Sequence, residues 1–492
     1  MGRIRAGTGT VFLWALLVGC GGGSPQATDA GDVVPTDVVQ PDDTPTDPGI
    51  AFDDAALEED SWEAAFQVAV AVSEVISTVA TVTWSLDGAS VDWARVEFGP
   101  DTTYGMTAPV DVKGGPPYEA VLVGMKPGRD YHFRVVAQAG GVTLDGPDGV
   151  LTTGAVPGKL PGVKVALADP QQQIPGFIVT TVLASPPSAV ILDHEGDYVW
   201  WYVPDVDDDF KAGRARLSVD GRSILFWGVN VRKVVEPAVS TQSLFRVSLD
   251  GTRVEQTPLP EGHHDFVELP DGTIAFIEYD PRTVKGETVD GDRVVELAPD
   301  GTRTEVYTVW DSFDYTGPSG TPGRGWCHAN YLVYEAGEDA YYMGSRSWSA
   351  ILGIDRSSGN LLRVVGGHQS DYVLTSGGTT PFQEQHGFDV LDGGILVFDN
   401  GGKDMLSSRA VEHAVDDVAM TMSEVWSYEP QPHLYVVTHG DIQRLPNGNT
   451  LVNFSNSGQL DEVDPSGNLV WRLNMSLGGA LGYSTWRESL YE

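Results

Sequence analysis

A unit of about fifty residues recurs from about Pro161 to the end of the chain, and this repeat restricts the fold more than any other feature. Each copy places a tight turn between two strand-like runs, as in Val247-Ser-Leu-Asp-Gly-Thr-Arg-Val254, Leu297-Ala-Pro-Asp-Gly-Thr-Arg303 and Val463-Asp-Pro-Ser-Gly-Asn-Leu-Val-Trp471. Leu192–Trp200 and Ile354–Leu361 are further copies, and Met422–Tyr428 is a degraded sixth. A second turn unit falls between these, in Leu217–Gly221, Leu269–Gly272, Val390–Gly394 and Leu445–Asn449. Asp-Gly and Asn-Gly supply the positive-φ positions that reverse a strand tightly. A period of this length fits a four-stranded propeller blade, and the lack of helical periodicity argues against an α/β fold. The sequence predicts an all-β chain in which residues 160–492 form a six-bladed β-propeller.

Three segments precede the repeat. Residues 61–155 alternate apolar and polar positions over Val79–Trp84, Asp92–Phe98 and Tyr131–Ala137, with turn signals between the runs. Trp84 on an early strand, and Tyr131 just after Lys126-Pro127-Gly128, resemble a fibronectin type III β-sandwich, in which a tyrosine ties a late strand to the preceding corner. That segment carries no evident chemistry and reads as a spacer or a docking wall. Residues 21–60 are rich in Gly, Pro, Thr and Asp and hold no lysine or arginine, so they are expected to be a self-repelling, unstructured tether. Residues 1–20 combine basic Arg3 and Arg5, a short apolar run from Val11 to Val18, and Leu17-Val18-Gly19-Cys20. This pattern resembles a bacterial lipoprotein signal in which Cys20 is lipidated. Gly21 follows in place of the aspartate that often retains lipoproteins in the inner membrane, which points to an exported protein anchored in the outer membrane.

A net charge of −39 excludes nucleic acid as a partner, because a field of that sign repels phosphate. An anionic substrate therefore needs a local cationic pocket. With Cys20 acylated, Cys327 has no partner for an internal disulfide and reads as a buried, unreactive thiol.

Three of the ten histidines fall at nearly equal places in successive repeats. His264 lies five residues before Leu269, His386 five before Leu391, and His328 opens the intervening copy as His328-Ala-Asn330. The first strand of each blade lines the axis, so equal positions converge on one end of the channel. His439 sits one residue out of register and is a candidate for the mouth, whereas His263 points to the other side of its strand. Arg346, in Ser345-Arg346-Ser-Trp348, reads as an anion clamp beside the imidazoles. His132, His194, His368, His413 and His433 follow no such pattern and read as surface or loop.

His264-Asp-Phe with Leu-Pro-Asp-Gly, Trp-Cys-His328-Ala-Asn330, Ser345-Arg346, Gln385-His386 and Phe398-Asp399-Asn400-Gly401 together resemble the bacterial arylsulfate sulfotransferase family, across nearly the whole repeat region. The resemblance implies a six-bladed propeller that moves a sulfuryl group from an aryl sulfate donor to a phenolic acceptor without a nucleotide. It implies His386 as the nucleophile that becomes sulfated, with His264, His328, Asn330 and Arg346 as sulfuryl-binding and acid–base residues. No metal or organic cofactor is implied. A neutral imidazole is a competent nucleophile near neutral pH, which agrees with that assignment. Two other readings stay open on the residues alone: a histidine-ligated metal centre, and a non-catalytic binding propeller on the cell envelope.

Overall fold

The computed structural model describes residues 66–491, apart from 184–185, 206–209, 231–241, 316–324, 368, 377, 403–404 and 477–479. The Cys20 lipobox, the tether and His368 lie outside the described residues. Among the described residues the chain is all-β, with short 3₁₀ turns at Val309–Asp311 and Ser455–Ser457.

Described residues from 163 to 487 form six sheets in succession, antiparallel except for one edge pair. The first combines Phe177–Val182, Ser188–Asp193 and Tyr198–Tyr202 with Thr485–Arg487 from the far end of the chain. The second holds Phe210–Leu217, Ser223–Asn230, Ser243–Ser248 and Val254–Pro258, and the third Gly262–Glu268, Ile274–Val284, Glu287–Leu297 and Arg303–Thr308. Ala329–Glu335, Ala340–Ser345, Ala350–Asp355 and Leu361–Gly366 make the fourth. Phe388–Leu391, Gly394–Asp399, Arg409–Asp416 and Thr421–Tyr428 make the fifth, edged by Val373–Ser376. The sixth runs Asp441–Arg444, Thr450–Asn453, Gln459–Val463 and Leu469–Met475, and Val163–Ala168 pairs with its last strand. The start of the repeat region thus extends the last sheet while its end completes the first, which covers strand edges that would otherwise be open.

The recurring turns explain why these strands reverse where they do. Gly251, Gly272, Gly301, Gly448 and Gly467 all adopt positive φ and close a bond to the carbonyl three residues back. The aspartate carboxylates of Asp250, Asp271 and Asp300 accept the N–H two residues on, which fixes each turn. Between sheets, alternate residues interleave as apolar layers, with Trp200, Tyr341, Phe226, Phe266, Phe388 and Phe398 fully buried.

Three innermost strands carry register shifts, between Ala212 and Ala215, His263 and Phe266, and Ala329 and Tyr331. A bulge re-aims the inserted side chains, and the shifts coincide with Arg214, with His264 and Asp265, and with Asn330.

Residues 66–152 form a second unit of two sheets, Phe66–Val72, Ala80–Leu86 and Tyr118–Leu122 against Val91–Gly99, Met106–Val110, Asp130–Ala139, Val142–Asp145 and Gly149–Thr152. They share a core built on Trp84, Phe98, Tyr118 and Phe133. The Tyr131 hydroxyl accepts the Lys126 N–H at 2.8 Å, tying the strand to the corner before it. Tyr491, near the C-terminus, inserts here: its hydroxyl accepts the Val123 N–H at 2.7 Å, and its ring meets Phe98 edge-on.

His413 departs from its reading as a surface or loop residue. It lies in the strand Arg409–Asp416, is fully buried and packs against Phe382. Neither ring nitrogen has a hydrogen-bond partner, and burial pushes the imidazole down to about 4. Glu424 and Arg409 are the charged groups that face it, and they act in opposite directions. Between pH 4 and the unfolded value near 6.5, the unfolded chain binds the proton that the folded one refuses, so this residue costs stability as pH falls. His413→Leu is therefore expected to gain about 2 kcal/mol more at pH 5 than at pH 7.5, read from denaturant unfolding at both pH values.

Candidate active site

Four imidazoles and one guanidinium gather where the inner strands of the third to sixth sheets begin. His264 and His328 lie 5.1 Å apart, centre to centre, and His386 and His439 lie 6.1 Å apart and nearly parallel. The two pairs form one electrostatic cluster, because His264 feels His328, His386 and His439, while His386 feels His439, His328 and Arg346. The in-register histidines thus do converge, and His439 joins them despite its offset. His264, His328 and His439 are partly exposed, whereas His386 and Arg346 are each 3% exposed. The cluster thus combines three partly exposed imidazoles with a buried imidazole and a buried guanidinium.

The backbone is strained to achieve this. His264, His328 and His439 adopt φ of 59°, 53° and 60°, the left-handed region, and Glu384 adopts 50°. Each costs about 1–2 kcal/mol in a non-glycine residue and persists only where surrounding structure fixes it.

The environment of His386 sets its chemistry. Its Nδ1 lies 2.7 Å from Asn400 Oδ1. The Asn400 amide nitrogen donates to the carbonyls of Val436 and His439 at 2.9 and 2.8 Å, so the amide oxygen is the atom that faces the ring. Nδ1 therefore carries the proton and Nε2 holds the lone pair. Burial, then His439, pushes the His386 imidazole well below its ordinary range, with Asn400 pulling the other way and Arg346 and His328 adding to the depression. His386 is thus neutral at physiological pH. His439 is pushed by burial down to about 4. Gly387 lets the chain pass here, because a Cβ at that position would sit 2.3 Å from Asp441 Oδ1.

Arg346 follows the strand Ala340–Ser345 in the same sheet as His328, and its N–H donates to the His328 carbonyl at 3.0 Å. Its guanidinium pairs with Glu384, which is 38% exposed. Asn330 is fully buried, and its amide donates to the Gln385 carbonyl at 2.7 Å. It braces the residue before His386 from beneath. Cys327 is buried, and burial with the Asp292 carboxylate pushes its thiol well up, so it stays protonated.

A buried ionic cluster adjoins the imidazoles, with the Tyr483 ring 5.8 Å from that of His439. Arg214, 3% exposed, bonds Asp441 at 2.7 Å and lies 3.7 Å from Asp265, while Tyr331 donates to Asp441 at 2.7 Å. The guanidinium also stands over the rings of Tyr331 and Tyr483.

Sequence reasoning gave no role to Asn400, Glu384 or Arg214. A readable signal existed for one group: aspartates in the inner strands, Asp265 beside His264 and Asp441 beside Gly440, imply a buried cation, which Arg214 supplies. Of the other histidines, His132 pairs with Asp148 at 2.8 Å on the surface and His433 lies near Glu429. Among the described residues no group of three or more His, Cys, Asp or Glu side chains is arranged to hold a metal ion.

Residues 163–475 match the family model described as "Arylsulfotransferase (ASST)". Two similar curated relatives are the arylsulfate sulfotransferase AssT of Escherichia coli O6:H1, 23% identical over 370 residues, and that of Lelliottia amnigena, 23% identical over 361. Each alignment covers 56% of this chain, and the chain spans 61% and 59% of the length of these relatives. Among solved structures, a streptogramin B lyase superposes with a TM-score of 0.39 at 14% identity, over 66% of this chain and 98% of that one.

Proposed function

Because the chain belongs to the arylsulfotransferase family, we propose that it transfers a sulfuryl group from an aryl sulfate to a phenol in two displacements through a sulfated His386. The six sheets are read as the blades of a propeller and the two-sheet unit as a fibronectin type III-like spacer, on an exported protein held to the outer membrane through Cys20.

One observation carries the proposal: the Asn400 amide leaves the neutral His386 ring with its lone pair on Nε2, beside a buried arginine. In the first displacement Nε2 attacks sulfur and the sulfur–phenolate bond breaks. Positive charge then develops on the ring, and Asn400 Oδ1 accepts the Nδ1–H of that cation. Arg346 stabilises charge on the sulfuryl oxygens in a site already shielded from water. His264, with His328 beside it, passes to the departing phenolate the proton it took from an acceptor phenol in the preceding turnover. In the second displacement the same base takes the proton of the acceptor phenol, whose oxygen attacks sulfur as the sulfur–nitrogen bond breaks. Aryl sulfates are anions and the chain is strongly acidic, so the substrate competes with Glu384 for the Arg346 guanidinium.

Steady-state rates with donor and acceptor both varied test this. Two displacements give parallel double-reciprocal lines and no requirement for a nucleotide. Converging lines would mean direct transfer in a ternary complex and would remove the covalent step.

A further inference from the structure

His263 and Asp292 lie outside every role assigned so far, and both are buried, 3% and 1% exposed. His263 Nδ1 is 2.8 Å from His264 Nδ1. On its other side, His263 Nε2 is 3.0 Å from Asp292 Oδ1, with the oxygen off the line of an ideal N–H bond. The carboxylate is held in place, since Asp292 Oδ2 accepts the Ala329 N–H at 2.9 Å. Tyr279 stacks on the His263 ring at 3.8 Å and seals it. The other titratable groups facing this relay are Asp290, Cys327, His328, His386 and His439.

The proton positions follow by elimination. An ionised carboxylate only accepts, so His263 Nε2 bears a hydrogen and, in a neutral ring, His263 Nδ1 is bare. The single proton between the two Nδ1 atoms therefore belongs to His264, whose Nε2 is left with the lone pair that a base needs.

We propose that Asp292 and His263 are a positioning and proton-storage relay for His264, an inference that rests on the sulfuryl-transfer reading above. When the acceptor phenol O–H breaks, a bond forms from its proton to His264 Nε2. The His264 Nδ1–H bond breaks as a His263 Nδ1–H bond forms, so the charge comes to rest on His263 beside the Asp292 carboxylate. The resting enzyme holds no stored proton; once an acceptor phenol has filled the store, the reverse shift delivers that proton to the next departing phenolate. The off-line contact between His263 and Asp292 tightens once His263 is charged. Such a store answers a difficulty of the site. Burial, His263 and the imidazoles of His328, His386 and His439 all push His264 well below its ordinary range, so a proton left on that ring alone would be poorly held.

Asp292→Asn and His263→Gln test the relay. A donor with an acidic phenol leaves without protonation, so phenol release and sulfation of His386 should stay within a few-fold of wild type, which also shows that the variants fold. Transfer to acceptors un-ionised at the assay pH should fall on the order of 10²-fold or more in kcat, while acceptors already present as phenolates lose little. A fall that is equal across acceptors, or no fall, would overturn the relay. Two-bond ¹⁵N–¹H correlation of the imidazoles gives a readout separate from activity: His264 should be the Nδ1–H tautomer in the wild type. An Nε2–H tautomer there would overturn the relay even with transfer intact. Absence of any His386 adduct in the wild type would instead defeat the sulfuryl-transfer reading, leaving the tautomer to decide the relay.

Discussion

His386→Ala loses acceptor-dependent phenol release by on the order of 10⁴-fold or more in kcat, while donor binding changes far less. The size follows from the mechanism. No neighbouring group can take over, because His439 lies 6.1 Å away, ring to ring, and nothing equivalent to Asn400 orients it: His439 Nδ1 has no hydrogen-bond partner. His264 is engaged through Nδ1 with His263. Folding is not at stake, since the backbone there is held by the pairing of Gly387 with Phe398 and Gly440, which the substitution leaves in place. A melting temperature close to wild type alongside lost turnover is the expected pair of results. Loss of both together would mean that His386 serves packing.

Arg346→Met lowers kcat/KM on the order of 10²- to 10³-fold, the range seen when a preorganised donor to a developing negative charge is removed. Both constants suffer. The donor loses its cation, and the transition state loses a donor whose strength comes from burial at 3% exposure. Methionine keeps the length and apolar character of the side chain, and Glu384, partly exposed, is left for water to solvate. Arg346→Lys restores little, because an ammonium lacks the planar fork that meets two sulfuryl oxygens together. Equal kcat/KM in Arg346→Met and wild type would place Arg346 in a structural role.

How much was legible divides along a physical line. Turns were readable because Asp-Gly and Ser-Gly encode a local φ requirement, and Gly272, Gly301 and Gly467 all adopt it. His264, His328 and His386 were readable because a repeat turns equal sequence position into equal spatial position. Their supports were not readable. Asn400, just past the strand Gly394–Asp399, reaches His386 and the carbonyls of Val436 and His439 in the loop that leads into the sixth sheet, so its role exists only after these segments close on one another. Asp292 likewise meets His263 only across a third strand, Ile274–Val284, that pairs with both of theirs. His413 was misread because a lone histidine in an alternating strand looks the same on either face, and a one-residue phase decides which face is buried. His439 was offset in sequence, yet its ring stacks on that of His386.

The most direct test of the account is to mix the protein with an aryl sulfate alone, quench in alkali and weigh the peptides. The account predicts one sulfuryl group on the peptide that carries His386, formed as one equivalent of phenol is released and lost when an acceptor phenol is added. An unmodified His386 peptide, in protein that still turns over once acceptor is present, would contradict it.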